Sequence, residues 1–350
     1  PRCEGRKGGL DCTGPLMNSK ERCLAALAGR PVDRVPVFPL LMFFAVDRAG
    51  LSYRQFATDG TALAEAQLAV RSRFGIDAIT ACSDAFRLVA DLGAEMVFPE
   101  SKPPFAQRPL VRTAADLARL GRPDPNDSRT RMADRVRAVE SMARAAGDDC
   151  LVLGWVDMPF AEACSLCGVS EFMLMLVDEP ALAHRILDFL TGLVIAFGVA
   201  QTAAGAAMVG AGDAAASLVS PAMYREFALP YEQRVCAGIR AAGGRVKLHI
   251  CGNTTALLPD MARCGAELFN VDHLVPFERA CAVYGGAAKC FKGNLDPVSE
   301  IMQATPEQCQ ARALACLRRA RGLPYMLSAG CEIPAETPDE VFTAFCQAPG

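Results

Sequence analysis

From Arg34 onward the chain alternates short apolar runs with longer stretches of helical spacing. The runs at 35–39, 76–80, 151–155, 207–210, 246–250, 268–271, 289–291 and 325–328 are mostly apolar or β-branched and stop at Gly, Pro or polar residues. That is the pattern of strands buried on both faces of a parallel sheet. Helix starts lie between them. Ser220 precedes Pro221, so a capping hydroxyl meets a proline at the first helical position. Thr305-Pro306-Glu307-Gln308 and Thr337-Pro338-Asp339-Glu340 add a capping-box side chain to the same arrangement. Strand followed by helix, repeated about eight times, predicts an α/β chain folded as a single (β/α)8 barrel. The alternative is an open, doubly wound sheet. It would place a Gly-rich dinucleotide turn after the first strand, where the chain reads Phe38-Pro39-Leu40-Leu41-Met42-Phe43-Phe44.

Three segments depart from the alternation. Residues 101–148 are long for one barrel unit: a Pro/Arg-rich piece, a capping Thr113 with Asp116, a turn-rich 123–127 and a polar helix. They are expected to form an insertion or lid-bearing region within the one domain. Residues 1–16 are rich in Gly, Arg and Lys without apolar periodicity, while Asn18 and Glu21 are spaced like a helix cap and its third-position acid. The fold, residues 17–350, is therefore expected to begin at Met17, with 1–16 an upstream, vector-derived or disordered extension. The stretch 189–212 carries no charge and has the length of a bilayer span of ~20 residues. Thr191, Gln201, Thr202 and several Gly and Ala moderate its hydropathy, and Gly205 divides it into a buried helix and a strand. No membrane span is expected.

Composition narrows the function class. With 350 residues, 51% of them hydrophobic, the chain can bury a large core. The net charge of −3 comes from interspersed acids and bases, so no basic stripe addresses nucleic acid. A small-molecule protein is expected. Sixteen cysteines in a chain this long do not describe a short secreted disulfide scaffold. Most sit singly in apolar surroundings, as reduced core thiols do, which points to a reducing compartment, the cytoplasm. Cys164 and Cys167 have C-x-x-C spacing but no second pair, which favours two residues on one helix face.

Only three histidines occur. His184 lies in a helical pattern, and His273 follows a strand without an obvious partner. His249 stands in Lys247-Leu248-His249-Ile250-Cys251-Gly252-Asn253 at the end of a predicted strand. Two residues apart on a strand, His249 and Cys251 point to the same side, which in a barrel can be the interior where catalytic groups are presented. Cys331, in Gly330-Cys331-Glu332-Ile333-Pro334, follows the last predicted strand. One imidazole and two thiols arriving at one barrel mouth form a catalytic zinc pattern with an open fourth position. Such a site deprotonates a bound thiol, whose free pKa is ~8.5, while leaving it nucleophilic. Zinc-bound water is the competing use, with Glu332 the adjacent candidate base. Asp213, Asp84 and Asp272 also follow predicted strands and are expected near the mouth as substrate-binding residues. Asp213 could instead ligate the metal weakly, orient His249 or simply cap a loop. Asn253 is a further substrate-side candidate, although a Gly-Asn turn is often structural.

At this point the residues resemble a known superfamily along nearly the whole chain from Met17. Ser19-Lys20-Glu21-Arg22, Gly29-Arg30-Pro31-Val32-Asp33-Arg34-Val35-Pro36-Val37, Phe74-Gly75-Ile76-Asp77-Ala78 and Ser83-Asp84 look like uroporphyrinogen decarboxylase-like proteins. Leu218-Val219-Ser220-Pro221 with Tyr224, Phe227 and Pro230-Tyr231, and Gly293-Asn294-Leu295-Asp296-Pro297, extend the likeness. The resemblance implies a TIM barrel. It also implies a choice between activities. True decarboxylases of the superfamily carry arginine in the loop after the first strand, and here that loop is apolar. The zinc-dependent methylcobamide:coenzyme M methyltransferases carry His-x-Cys and a distant Cys, matched by His249, Cys251 and Cys331. The resemblance therefore implies methyl transfer from a corrinoid to a thiol such as coenzyme M. No corrinoid-binding domain is recognisable in the chain, so a separate corrinoid protein or free methylcobalamin is the expected donor. A decarboxylase-like lyase and a non-catalytic corrinoid- or tetrapyrrole-binding protein are the alternatives.

Overall fold

The computed structural model describes residues 16–350. Its centre is a curled parallel sheet of seven strands paired in chain order: β1 Ala78–Thr80, β2 Leu151–Asp157, β3 Met208–Gly212, β4 Val246–His249, β5 Leu268–Asn270, β6 Cys290–Leu295 and β7 Tyr325–Ala329. Seven of the eight expected strands are thus regular, four of them, β2, β3, β6 and β7, longer at their C-terminal ends than expected. The eighth, 35–39, is not. Pro36 and Pro39 have no N–H to give a ladder, so the segment makes only isolated bridges, Val37 to Leu327 and Leu40 to Glu332. It still lies between the sheet edges, since Phe38 N bonds Leu327 O at 2.8 Å and Asp77 N bonds Val37 O at 2.9 Å. Buried Asp77 ties this seam together through Arg22, Arg34 and the Val37 amide, each at 2.7 Å.

Alternate strand residues face the barrel interior. Phe38, Ala78, Leu151, Leu153, Met208, Leu268, Cys290 and Met326 pack into one apolar floor. The same parity carries Trp155 and Asp157, Gly210 and Gly212, Lys247 and His249 into the interior above it. Helices fill the connections. Asn18, Ser52, Thr113 and Thr305 close capping boxes, and Ser220 caps Met223 ahead of Pro221. The expected cap at Thr337 does not form. The last helix, Asp339–Gln347, starts behind Pro338, and the Thr337 hydroxyl is buried without a partner among the described residues.

Within 101–148, the piece before the final helix holds strand Phe105–Ala106, paired with Met96–Val97, and the helix Ala114–Arg119. The helix Arg131–Ala146 packs on Gly60–Phe74 and on β2, as part of the helical layer. The helix Pro180–Ala203 is long and apolar enough to cross a membrane, with mean hydropathy 1.7, and 56% of that window is buried. It packs on β2, β3 and the helices Pro159–Cys167 and Leu229–Ala241. The extension expected at the N-terminus falls outside the described residues, apart from Leu16. A cavity of about 740 Å³ opens at the N-terminal end of the barrel between Arg30, Pro31, Leu323 and Pro324, lined by none of the candidate residues.

Candidate metal centre at the barrel mouth

His249 ends β4 and Cys251 follows it, while Cys331 lies two residues beyond the end of β7. The strands deliver the three side chains to one point at the C-terminal end of the sheet. His249 Nε2 is 3.1 Å from Cys251 Sγ and 3.8 Å from Cys331 Sγ, and the two sulfurs are 3.7 Å apart. Among the described residues this is the one group of His, Cys, Asp or Glu ligand atoms close enough to hold a metal ion, all lying within 4.8 Å of one another. His249 is 4% exposed, and both cysteines are half-buried.

The spacing can be compared with what zinc requires. Bonds of about 2.3 Å to sulfur and about 2.0 Å to nitrogen, in a tetrahedron, separate two sulfurs by about 3.8 Å and sulfur from nitrogen by about 3.5 Å. The donor set and its spacing fit zinc. Without a cation the sulfurs compete for protons. The Cys251 thiol donates to Cys331, which, with His249 beside it, sits well below the usual thiol range, while Cys251 is pushed well above it. His249 Nδ1 is buried and has no hydrogen-bond partner among the described residues.

Neighbouring backbone is tied in place. Asp272 accepts the Gly252 amide at 3.0 Å and the Leu274 amide at 2.9 Å, fixing the loop that carries Cys251. Glu332 accepts the amides of Met42, at 3.0 Å, and Phe43. Burial pushes its carboxyl up to about 8 against those two donors. It anchors the segment after Leu40 to the loop after β7.

The remaining expected residues do not join the three. Asp213 follows inward-facing Gly212, so the period-two alternation turns it toward the helices. There it accepts the Ala161 amide at 2.8 Å and faces the buried Glu232, to which Tyr224 donates at 2.6 Å. Burial raises both carboxyls, Glu232 to about 7. Asp84 is held by Arg131 at 2.8 and 3.0 Å, by Ser83 and by the Phe86 amide, and lies well below the usual carboxylate range. Asn253 caps Thr255 in an exposed turn.

Several interior groups were not anticipated from the sequence. Asp157, at the end of β2, pairs with the buried Arg87, and burial pushes its carboxyl up to about 6 against that guanidinium. Register places Asp157, Gly212 and His249 at one level on three neighbouring strands. Lys247 and Lys292 point into the interior below. Their signals were present as a lysine within the run 246–250 read as a buried strand, a lysine just beyond the run 289–291, and an Asp at an even spacing beyond Trp155.

The sequence profile of the uroporphyrinogen decarboxylase (URO-D) family matches residues 18–349. The chain belongs to the uroporphyrinogen decarboxylase family. Among curated relatives, the uroporphyrinogen decarboxylase of Xanthomonas axonopodis pv. citri is 32% identical over 311 residues, covering 84% of this chain and 86% of its own. That of Myxococcus xanthus is 27% identical over 332 residues, covering 91% and 93%. Among solved structures, a methyltransferase from Methanosarcina mazei superposes with TM-score 0.86 at 26% identity, over 95% of this chain and 98% of that one. Within this family of enzymes the chain therefore resembles proteins of two activities.

Proposed function

We propose that this family member transfers a methyl group from a methyl-corrinoid, free or on a separate corrinoid protein, to a small thiol. The observation that carries the reading is the convergence of His249, Cys251 and Cys331 within 4.8 Å at the barrel mouth. These three residues would hold zinc, leaving one position for the acceptor. Zinc bound there would deprotonate the acceptor thiol and keep its sulfur nucleophilic. The chain's own part is placement. Two strand ends and the Asp272 and Glu332 anchors fix the donors, so that the acceptor sulfur is aimed out of the barrel at the incoming methyl carbon. The thiol proton leaves to solvent. The sulfur–carbon bond forms as the carbon–cobalt bond breaks, with its electron pair staying on the corrinoid.

The names of the curated relatives favour decarboxylation of a porphyrinogen as the second reading. Against it stand Phe38, Leu40 and Leu41, buried apolar residues in a segment with no cation for substrate carboxylates. Purified protein should demethylate methylcobalamin with a thiol acceptor, measured by the cobalamin absorbance change, and should leave uroporphyrinogen unchanged. Decarboxylation without thiol methylation would overturn the proposal.

A further inference from the structure

The end of β5 stands between the two loops that carry the sulfurs. On one side Asp272 holds the loop behind Cys251 through the Gly252 amide. On the other, Gly330, the residue before Cys331, lies against the backbone just past β5. A Cβ on Gly330 would run into the His273 nitrogen and stand 3.0 Å from the Asp272 carbonyl carbon. Asn270, the last residue of β5, is 1% exposed and donates from Nδ2 to the Gly330 carbonyl at 3.0 Å. That bond sets which way the carboxamide faces. A carbonyl can only accept, so the amino group must meet Gly330 and the oxygen must face elsewhere. Asn270 Oδ1 is buried and has no hydrogen-bond partner among the described residues.

The register partner of Asn270 on β4 is His249. Paired residues of neighbouring parallel strands lie about 4.8 Å apart and point to the same side, which sets carboxamide and imidazole side by side. His249 has the complementary need. Its Nε2 faces both sulfurs, at 3.1 and 3.8 Å, so Nδ1 is the ring nitrogen left over, and it too is buried without a partner among the described residues. A neutral imidazole that gives its Nε2 lone pair to a metal carries its proton on Nδ1, and a buried N–H needs an acceptor. On its other flank His249 pairs with Gly212, which has no side chain to offer. Asp157 fills that space, with Oδ1 2.9 Å from where a Gly212 Cβ would stand, but its carboxylate is committed to the Arg87 guanidinium.

We propose that Asn270 is a positioning residue of the metal centre, whose Oδ1 accepts the Nδ1–H of His249 and so holds the imidazole with Nε2 turned to the metal. The same carboxamide ties that imidazole to the carbonyl in front of Cys331, so one side chain links ligands delivered by β4 and β7. This rests on the zinc centre proposed above. Its effect falls on metal binding, before any acceptor arrives.

Nuclear magnetic resonance of the zinc-loaded full chain, isotope-labelled in histidine alone, gives the test, because only three imidazoles contribute. His184→Gln and His273→Gln assign the ring signals. The Nδ1–H of His249 should appear downfield and exchange slowly with water. Asn270→Leu should move it upfield and weaken zinc binding about 10–100-fold, read by competition with a chromophoric chelator. Asn270→Asp keeps an acceptor while losing the donor to Gly330. It should move the proton further downfield, since a carboxylate accepts more strongly, and recover most of the zinc affinity. An unmoved signal or unchanged affinity in Asn270→Leu overturns the proposal. So do equal losses in the Leu and Asp variants, which would mean that Asn270 only braces Gly330. A signal that moves in Asp157→Asn but not in Asn270→Leu overturns it in favour of the carboxylate. If Asn270→Leu fails to fold, Asn270→Asp decides, and the absence of a downfield shift there overturns the proposal. Wild-type protein that binds no zinc overturns the metal centre and this proposal together. Normal zinc uptake with no effect at Asn270 sinks only the latter.

Discussion

The barrel carries thiols at both ends, and they differ in what surrounds them. At the floor, Cys23 and Cys150 reach the Asp77 carbonyl at 3.8 and 3.5 Å, and Cys290 lies among apolar residues of the interior. Burial pushes all three up, Cys150 to about 11. At the mouth, Cys251 and Cys331 meet each other and an imidazole, half-buried. The same side chain is a packing group where strands begin and, in the function proposed above, a metal ligand where they end. Position along the strand makes the difference, because the C-terminal ends of several strands converge on one point while their N-terminal ends are closed by the floor.

The largest contrast is expected on substitution. Cys331→Ser should cost the protein its zinc, measured by metal analysis after gel filtration, and abolish thiol methylation, with the circular dichroism spectrum unchanged. A zinc-retaining, active Cys331→Ser protein would place the chemistry elsewhere.

Chemical reactivity should separate the two ends next. In metal-free protein at a pH of about 6, where an ordinary thiol is almost wholly protonated, Cys331 is expected to be alkylated by iodoacetamide first. Its thiolate is already present at that pH because its pKa is lowered, and raising the pH should therefore accelerate it little. Cys23, Cys150 and Cys290 should stay unmodified until unfolding, and zinc should protect Cys331. Mass spectrometry of timed samples reads all of this, and early labelling at Cys290 would erase the distinction.

The smallest expected effect concerns the floor alone. Cys290→Ser buries a hydroxyl in apolar surroundings and should cost about 1–3 kcal/mol of stability, read by denaturant unfolding, with zinc content and methylation unchanged. Zinc loss in that variant would show that floor and mouth are not independent.

How much of this was legible follows from the range of each interaction. Period-two alternation and strand-end turns lie within a few residues, so seven strands and the grouping of His249 with Cys251 could be read directly. Cys331 needed only the curl of the sheet, which brings the ends of β4 and β7 together. The first strand misled because Val35 and Val37 read as β-branched, while Pro36 and Pro39 deny the ladder its donors. Asp213 was misplaced by one residue of register, which sends its carboxylate to the Ala161 amide, on the side of buried Glu232. Thr337 missed its capping role because the helix begins behind Pro338 with the hydroxyl buried. Lys247 on Trp155 and Asp157 with Arg87 depend on what neighbouring strands leave empty, at Gly210 and Gly212 above all, and no local pattern records that.

X-ray absorption at the zinc edge tests the central claim most directly. The zinc-loaded protein should show two sulfurs at about 2.3 Å and one nitrogen at about 2.0 Å, and adding a thiol acceptor should raise the sulfur number by one. A shell of oxygen and nitrogen alone, or a sulfur number that thiol does not change, would contradict it.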